Sequence, residues 1–311
     1  MDWDTKSVLI TGGTGSFGKK FVEIMLREYH PERLIIFSRD ELKQYEMRRA
    51  GIDHSSLRYF IGNVRDVRRL RRALCGVDII VHAAALKQVP ACEYNPFEAV
   101  KTNILGAQNI IDASIDSGVQ LVMALSSDKA VNPINLYGAT KLVAEKLFIQ
   151  GNSYAGADGT RFSCVRYGNV IGSRGSVIPL FLKQREKETL TITDKRMTRF
   201  WITLDQAVHF VIDRLGDMTG GEVFVPRIPS MKIIDLATAI APEAKLNIIG
   251  VRLGEKLHEL LVSRNESLYA QGLENMYIIH PSRPPTGVHQ FKYASNTNDQ
   301  WLTPAELREM L

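Results

Sequence analysis

Short, almost wholly apolar runs alternate with amphipathic stretches through the first half of the chain. Ser7–Thr11, Arg33–Phe37, Leu57–Ile61, Asp78–His82, Gln120–Leu125 and Arg161–Tyr167 read as strands. Phe17–Glu28, Glu41–Arg49, Val67–Cys75, Asn95–Ser117 and Gly138–Ile149 read as helices, the first ending near His30-Pro31. Strands that lack polar alternation need cover on both faces, and helical crossovers between parallel strands supply it. The predicted class is α/β, a doubly wound parallel sheet.

After about residue 170 the segments shorten and mix. Gly172-Ser-Arg-Gly175 reads as a loop, Val177–Glu186 as a helix and Thr189–Thr193 as a strand. Thr203 followed by Gln206 is a capping box opening a helix to Leu215. Gly220-Gly221 turns into a strand at Glu222–Pro226. The expected organisation is a nucleotide-binding domain over 1–170 and a smaller substrate lobe over 171–311. The lobe is interwoven with the first domain, and some chain returns to it.

Composition narrows the class without choosing a function. Hydrophobic residues make up 45% and charged residues 23% of the 311, ordinary for a soluble globular protein. No apolar stretch approaches the roughly 20 residues that span a bilayer, and no signal-peptide pattern opens the chain. Cys75, Cys92 and Cys164 are scattered, with neither metal-ligand spacing nor a disulfide framework. A cytoplasmic protein with no metal and no membrane insertion is expected. The net charge of +5 raises nucleic acid as a partner. The densest basic run, Arg65, Arg68, Arg69, Arg71 and Arg72, is interleaved with Leu70, Ala73 and Leu74 as one helix face. No recognised nucleic-acid motif accompanies it, so a solvated helix face and an anionic small substrate are the expectation.

Candidate chemistry begins at the first strand–helix turn. Thr11-Gly12-Gly13-Thr14-Gly15-Ser16-Phe17-Gly18 carries glycines at 12, 15 and 18. Gly12 permits the tight turn, Gly15 lets backbone approach a pyrophosphate, and Gly18 lets helix and strand pack closely. The strand–loop–helix context is the one this Rossmann-type fingerprint requires. The second strand ends in Ser38-Arg39, where NAD enzymes usually carry an acid for the ribose 2′-hydroxyl. A hydroxyl and a guanidinium suit a 2′-phosphate, which predicts NADP. Asp40 stands next to them; its plain reading is the N-cap of the helix from Glu41.

Tyr137-Gly-Ala-Thr-Lys141 places a phenol and an ammonium four residues apart on one helix face. The lysine is expected to lower the phenol pKa and make Tyr137 a proton acceptor. Ser127-Asp128-Lys129 precedes it at the end of a strand, where ligand crevices open in such sheets.

With these residues in place, the chain resembles the extended short-chain dehydrogenase/reductases. Within them it is most similar to the inverting UDP-N-acetylglucosamine 4,6-dehydratases of polysaccharide and pseudaminic acid biosynthesis. Phe37-Ser-Arg-Asp-Glu-Leu-Lys43, His82-Ala-Ala-Ala-Leu-Lys-Gln-Val-Pro90, Ser127-Asp-Lys129, Tyr137-Gly-Ala-Thr-Lys141, Arg166-Tyr-Gly-Asn169 and Gly254-Glu-Lys-Leu-His258 carry the resemblance. Retaining dehydratases of the same kind have Asp-Glu where this chain has Asp128-Lys129, and simple 4-epimerases lack the pair. The resemblance implies a UDP-sugar substrate, a hydro-lyase that also epimerises carbon 5, and a homo-oligomer between dimer and hexamer. It implies that Tyr137 takes the 4-hydroxyl proton, with Ser127 on the 4-oxygen and Lys141 beside the phenol. A neutral Lys129, its pKa depressed by the nicotinamide and Lys141, takes the carbon-5 proton, and a protonated Asp128 donates to the departing 6-hydroxyl. Beyond the glycine-rich loop, Ser38 and Arg39, the resemblance adds Lys43, Asn63, Val64, Ala83, Ala84, Lys87 and Asn103 to the cofactor site. For the substrate it implies Lys87, Tyr167, Asn169, Arg199, Arg252 (diphosphate) and Glu255 (ribose). Asn63 departs from the family's usual Asp beside the adenine, and Leu253 from its usual Pro before Gly254. Two readings stand beside the dehydratase: a UDP-sugar 4-epimerase, and a non-catalytic protein that senses NADP.

Overall fold

The protein is described by a computed structural model covering residues 1–173, 175–285 and 290–310. Arg174 of the expected 172–175 loop lies outside the described residues. Six parallel strands form the frame: β1 (Ser7–Thr11), β2 (Arg33–Ser38), β3 (Leu57–Ile61), β4 (Ile79–His82), β5 (Leu121–Leu125) and β6 (Arg161–Val165). From one edge the order is β3-β2-β1-β4-β5-β6, followed by Val223–Pro226, Met276–Ile279 and Ala270–Gly272. Val223–Pro226 is parallel to β6; the last two strands form an antiparallel hairpin on that edge. The strand order reverses between β1 and β4, and that is where such sheets open a ligand crevice.

β1 is buried at every position, as its unbroken apolar run requires. Three helices follow in the first half: α1 (Ser16–Ile24), α2 (Glu41–Arg49) and α3 (Val67–Ala73). α1 continues as a wide π-helical turn, Met25–Tyr29, and His30 stops it in the left-handed conformation at φ 50°. The single helix expected over Asn95–Ser117 is interrupted. Asn95 leaves helical geometry at φ −122°, ψ 64°, Pro96 restarts a short helix to Val100, and a π-turn over Lys101–Leu105 leads into Gly106–Asp116. Pro at a helix start is favoured because its missing N–H is one that would go unpaired there.

The later residues pack a second apolar cluster around Phe181, Trp201, Met231, Leu236 and Leu307. Around it lie a three-stranded sheet (Ser230–Lys232, Thr198–Ile202, Asn169–Val170) and the pair Thr189–Ile192 with Lys245–Ile248. Among the described residues no helix is long and apolar enough to cross a membrane. The basic run on α3 is partly tied down, through ion pairs of Arg65 with Glu98 and of Arg71 with Asp116.

Candidate active site

A cleft of about 580 Å³ runs along the ends of β1, β2, β4, β5 and β6. One end is backbone. Gly12 sits at φ 67°, and a Cβ there would lie 3.0 Å from Ala84 Cα. Thr11 fixes that approach: its hydroxyl lies 2.9 Å from His82 Nδ1 and accepts from the Ala83 and Ala84 N–H groups, both at 3.2 Å. A Cβ on Gly18 would fall 2.5 Å from Gly13 Cα, so only glycine lets α1 rest on the loop. α1 has no acidic residue in its first turn, so nothing competes with an anion at its N-terminus.

Gly12, Thr14, Gly15, Ser16, Phe17, Gly18, Ser38, Arg39, Lys43, Asn63, Val64, Ala83, Ala84 and Lys87 all line this cleft, as the sequence predicts. Asp40 takes the capping role, its carboxylate accepting from Lys43 N at 3.1 Å and pairing with Lys43 Nζ at 2.7 Å. Asn103 is different. Its amide is used by Leu86 N, Leu86 O and Thr140 Oγ1, at 2.8, 2.8 and 3.0 Å, so it secures the loop after β4 from behind. The uncluttered helix terminus, the side-chain-free approach and Arg39 together fit a dinucleotide.

The other end of the cleft is ionised side chains. Ser126–Lys129 leaves β5 and turns under the N-terminus of the helix Leu136–Ala155, which carries Tyr137 and Lys141. Asn135 caps that helix, accepting from Gly138 N at 2.8 Å. Helix and turn touch directly: a Cβ on Gly138 would lie 2.2 Å from Lys129 O. Ser127, Asp128, Lys129, Tyr137, Lys141, Tyr167 and Asn169 share the cleft wall.

Asp128 is 1% exposed. Its Oδ1 accepts from Ser127 Oγ at 2.8 Å and Lys129 Nζ at 3.2 Å, while Oδ2 is buried without a hydrogen-bond partner. Burial pushes this carboxyl above the ordinary range, and Glu259 adds to the rise against the pull of Lys129. That is the direction an acid needs.

Two expectations about charge are corrected. Burial works against the Lys129 ammonium, but the carboxylates of Asp128 and Glu259 outweigh it, and Lys129 stands above the ordinary lysine range instead of below it. Its Nζ lies 3.4 Å from Glu259 Oε1 as well as 3.2 Å from Asp128. Tyr137 is likewise pushed up, to about 12, because burial exceeds the help it receives from Lys129 and from the Ser127 hydroxyl. Lys141 donates to Leu125 O at 2.5 Å, and burial lowers its own pKa.

Three of the expected substrate residues lie elsewhere. Arg199 is 8% exposed and turns inward, donating to the carbonyls of Thr198, Leu257 and Lys256. It braces the segment after Gly254 instead of lining the cleft. Arg252 and Glu255 stand outside the cleft wall, 3.8 Å from each other, with Arg252 largely exposed.

Glu259 escaped the sequence reading. It is 2% exposed and meets Lys129, Arg199 at 3.9 Å and Lys256 at 3.7 Å. The available signal was a carboxylate directly ahead of the apolar run Leu260–Val262. The same segment grips the catalytic turn twice more: Lys256 Nζ donates to Val131 O at 2.6 Å, and Asn135 Nδ2 to Gly254 O at 2.7 Å.

Known proteins share this arrangement. Residues 8–281 match a family described as polysaccharide biosynthesis protein. A Campylobacter jejuni protein named UDP-N-acetylglucosamine 4,6-dehydratase (inverting) is 51% identical, over 98% of this chain and 97% of its own. A Rickettsia canadensis protein named UDP-glucose 4-epimerase is 43% identical over 88% of this chain and 82% of its own. Among solved structures, Pen from Bacillus thuringiensis aligns with TM-score 0.93 and 39% identity, covering 99% of this chain and 97% of that one. DesIV, a dTDP-glucose 4,6-dehydratase from Streptomyces venezuelae with NAD bound, shares the fold at TM-score 0.72 and 23% identity, covering 81% of this chain and 86% of its own. The glycine-rich cradle, the Tyr137/Lys141 helix and the near-full-length relatives agree, and the chain belongs to the polysaccharide biosynthesis protein family of extended short-chain dehydrogenase/reductases.

Proposed function

We propose that this protein is a UDP-N-acetylglucosamine 4,6-dehydratase that inverts carbon 5, giving UDP-2-acetamido-2,6-dideoxy-β-L-arabino-hex-4-ulose. The observation that carries the reading is the Asp128-Lys129 pair at the end of β5, within one cleft with Tyr137 and with the glycine-rich loop. The curated relative at 51% identity supports the same substrate.

The cofactor is NADP, held by the loop between β1 and α1 and, at its 2′-phosphate, by Ser38 and Arg39. When bound, it takes a hydride from carbon 4 and returns it to carbon 6. The protein's own groups handle the protons. Tyr137 receives the 4-hydroxyl proton, and Ser127 hydrogen-bonds the 4-oxygen. The 4-ketone acidifies carbon 5, whose proton goes to Lys129. Asp128, kept protonated by burial, gives its proton to the departing 6-hydroxyl, and water leaves. Carbon 5 is reprotonated from the opposite face by Tyr137, which inverts it. Lys87, Tyr167 and Asn169, on the wall beside this group, face the sugar nucleotide. Residues 1–170 serve the cofactor and 171–311 the sugar nucleotide, in a cytoplasmic homo-oligomer.

The deciding experiment follows UDP-N-acetylglucosamine by mass and NMR in deuterium oxide. Loss of one water with deuterium at carbon 5 and an L-arabino product is expected. Water loss with retained configuration would remove the role given to Lys129. A 4-epimer of unchanged mass would favour the activity for which the Rickettsia relative is named. Cofactor choice is tested by titration: Arg39→Ala should weaken NADP by about tenfold to a hundredfold, the worth of a charge-assisted pair of ~1.5–3 kcal/mol, and leave NAD nearly unchanged.

A further inference from the structure

The site holds a carboxylate that the chemistry above does not use. Glu259 enters from the segment after Gly254, far in sequence from β5, and reaches Lys129 on the side opposite Asp128. Its Oε1 lies 3.4 Å from Lys129 Nζ, and its Oε2 is buried without a hydrogen-bond partner. Resting on the dehydratase reading, we propose that Glu259 is the positioning residue that holds the Lys129 proton, taking it up so that the amine is free when carbon 5 must be deprotonated.

The proton count supports this. The resting charges are a neutral Asp128, a charged Lys129 and a charged Glu259: burial raises Asp128, whereas Lys129, Arg199 and Lys256 overcome burial and hold Glu259 below the ordinary carboxylate range. An ammonium has no lone pair with which to take a proton. Transfer of one proton from Lys129 Nζ to Glu259 gives a neutral amine and two protonated carboxyls, with no net change in the group. The amine then takes the carbon-5 proton, and Asp128 gives its own to the leaving hydroxyl. Lys129 is left charged beside an ionised Asp128, 3.2 Å away. Passing the proton back to Asp128 restores the neutral amine and the acid together. The cycle closes without exchange with solvent.

Other charges facing Lys129 do not substitute for Glu259. Arg199, Lys87 and Lys256 are cationic and accept no proton, and Tyr137 is engaged at carbon 4. Placement argues for a dedicated role as well. Arg199 and Lys256 flank Glu259, and the Glu259 N–H donates to Ser295 Oγ at 3.0 Å, so the carboxylate is fixed where Lys129 meets it.

The test compares wild type, Glu259→Gln and Glu259→Asp in the full-length protein. Wild-type turnover should be nearly flat across neutral pH, because the active form is a rearrangement of the resting one. In Glu259→Gln, Lys129 must lose its proton to water. Turnover at neutral pH should fall by about 10²-fold, in the range of a lost general base, and should climb close to tenfold per pH unit toward alkaline pH. Glu259→Asp keeps an acceptor and should recover a flat profile with part of the activity. A uniform loss in Glu259→Gln at every pH, or an unchanged profile, would overturn the proposal. Cofactor titration of each variant reports folding; should Glu259→Gln fail to fold, a rising profile in Glu259→Asp overturns the proposal and a flat one supports it. A second readout needs no turnover: the NMR titration of isotopically methylated Lys129, assigned with Lys129→Ala, in protein alone. Glu259→Gln should lower the Lys129 pKa, and no change would sink the pairing even if the wild type proved not to be a dehydratase. The product assay on wild type decides that separately.

Discussion

At the glycine-rich end of the cleft the working surface is backbone, and at the β5 end it is charge. Gly12, Gly15 and Gly18 act by what they lack: a Cβ at 12 or 18 would strike Ala84 or Gly13, and the first-turn N–H groups of α1 are thereby left approachable. Asp128, Lys129 and Glu259 act by what they carry, in a pocket where each alters the others' protonation. A backbone site is set by local sequence and is insensitive to pH. A site of coupled buried charges depends on chain segments far apart and changes with every proton. Both belong to one cleft, so the two kinds of recognition can be separated by substitution.

The widest separation is expected from Lys129→Ala. It should reduce dehydration by about 10²–10⁴-fold, the usual worth of a positioned base, while NADP binds with wild-type affinity. Steady-state rates and a cofactor titration on the same preparation check this. A parallel loss of cofactor affinity would mean that the two ends are not independent.

Legibility in the sequence follows the same division. β3 and α2 occur over the residues expected from their patterns, because burial on both faces and a 3.6-residue period are local signals. The cofactor loop was readable for the same reason. The helix expected as one piece from Asn95 was not, since Asn95 departs from helical geometry and Lys101–Leu105 widens into a π-turn that no simple periodicity encodes. Lys129 was read as a lysine depressed by neighbouring cations. Its actual partner, Glu259, arrives from the far end of the chain, and only tertiary structure brings the two within 3.4 Å. Arg199 was misplaced for a related reason: a basic residue in an exposed-looking motif is buried by its own bonds to backbone carbonyls.

A matched pair of glycines sharpens the contrast at an intermediate size. Gly18→Ala and Gly138→Ala each force a methyl into backbone, 2.5 Å from Gly13 Cα and 2.2 Å from Lys129 O. Each should lower stability by about 1–3 kcal/mol, the common cost of overpacking, measurable as a loss in thermal midpoint. Their functional signatures should differ. Gly18→Ala should act mainly on cofactor affinity, and Gly138→Ala mainly on turnover with cofactor saturating, because the carbonyl it displaces belongs to the proposed base. Equal effects of both on affinity would dissolve the distinction.

The finest comparison uses two helix caps. Asp40 caps α2 beside the proposed 2′-phosphate site, and Asn135 caps the helix carrying Tyr137. Replacing either with Ala should cost about 1 kcal/mol of stability, the ordinary worth of an N-cap. Beyond that they should part. Asp40→Ala removes a carboxylate close to Arg39, which favours an incoming phosphate, so NADP affinity should hold or rise slightly. Asn135→Ala also breaks the 2.7 Å hydrogen bond to Gly254 O, one of the ties that draw the Glu259 segment onto the catalytic turn. Lys256 still holds Val131 O, so that segment should loosen without departing. A several-fold fall in turnover at unchanged NADP affinity is therefore expected for Asn135→Ala. If turnover stays at the wild-type rate, the tie at Gly254 is structural only, and the position of Glu259 rests on Lys256, Arg199 and Ser295.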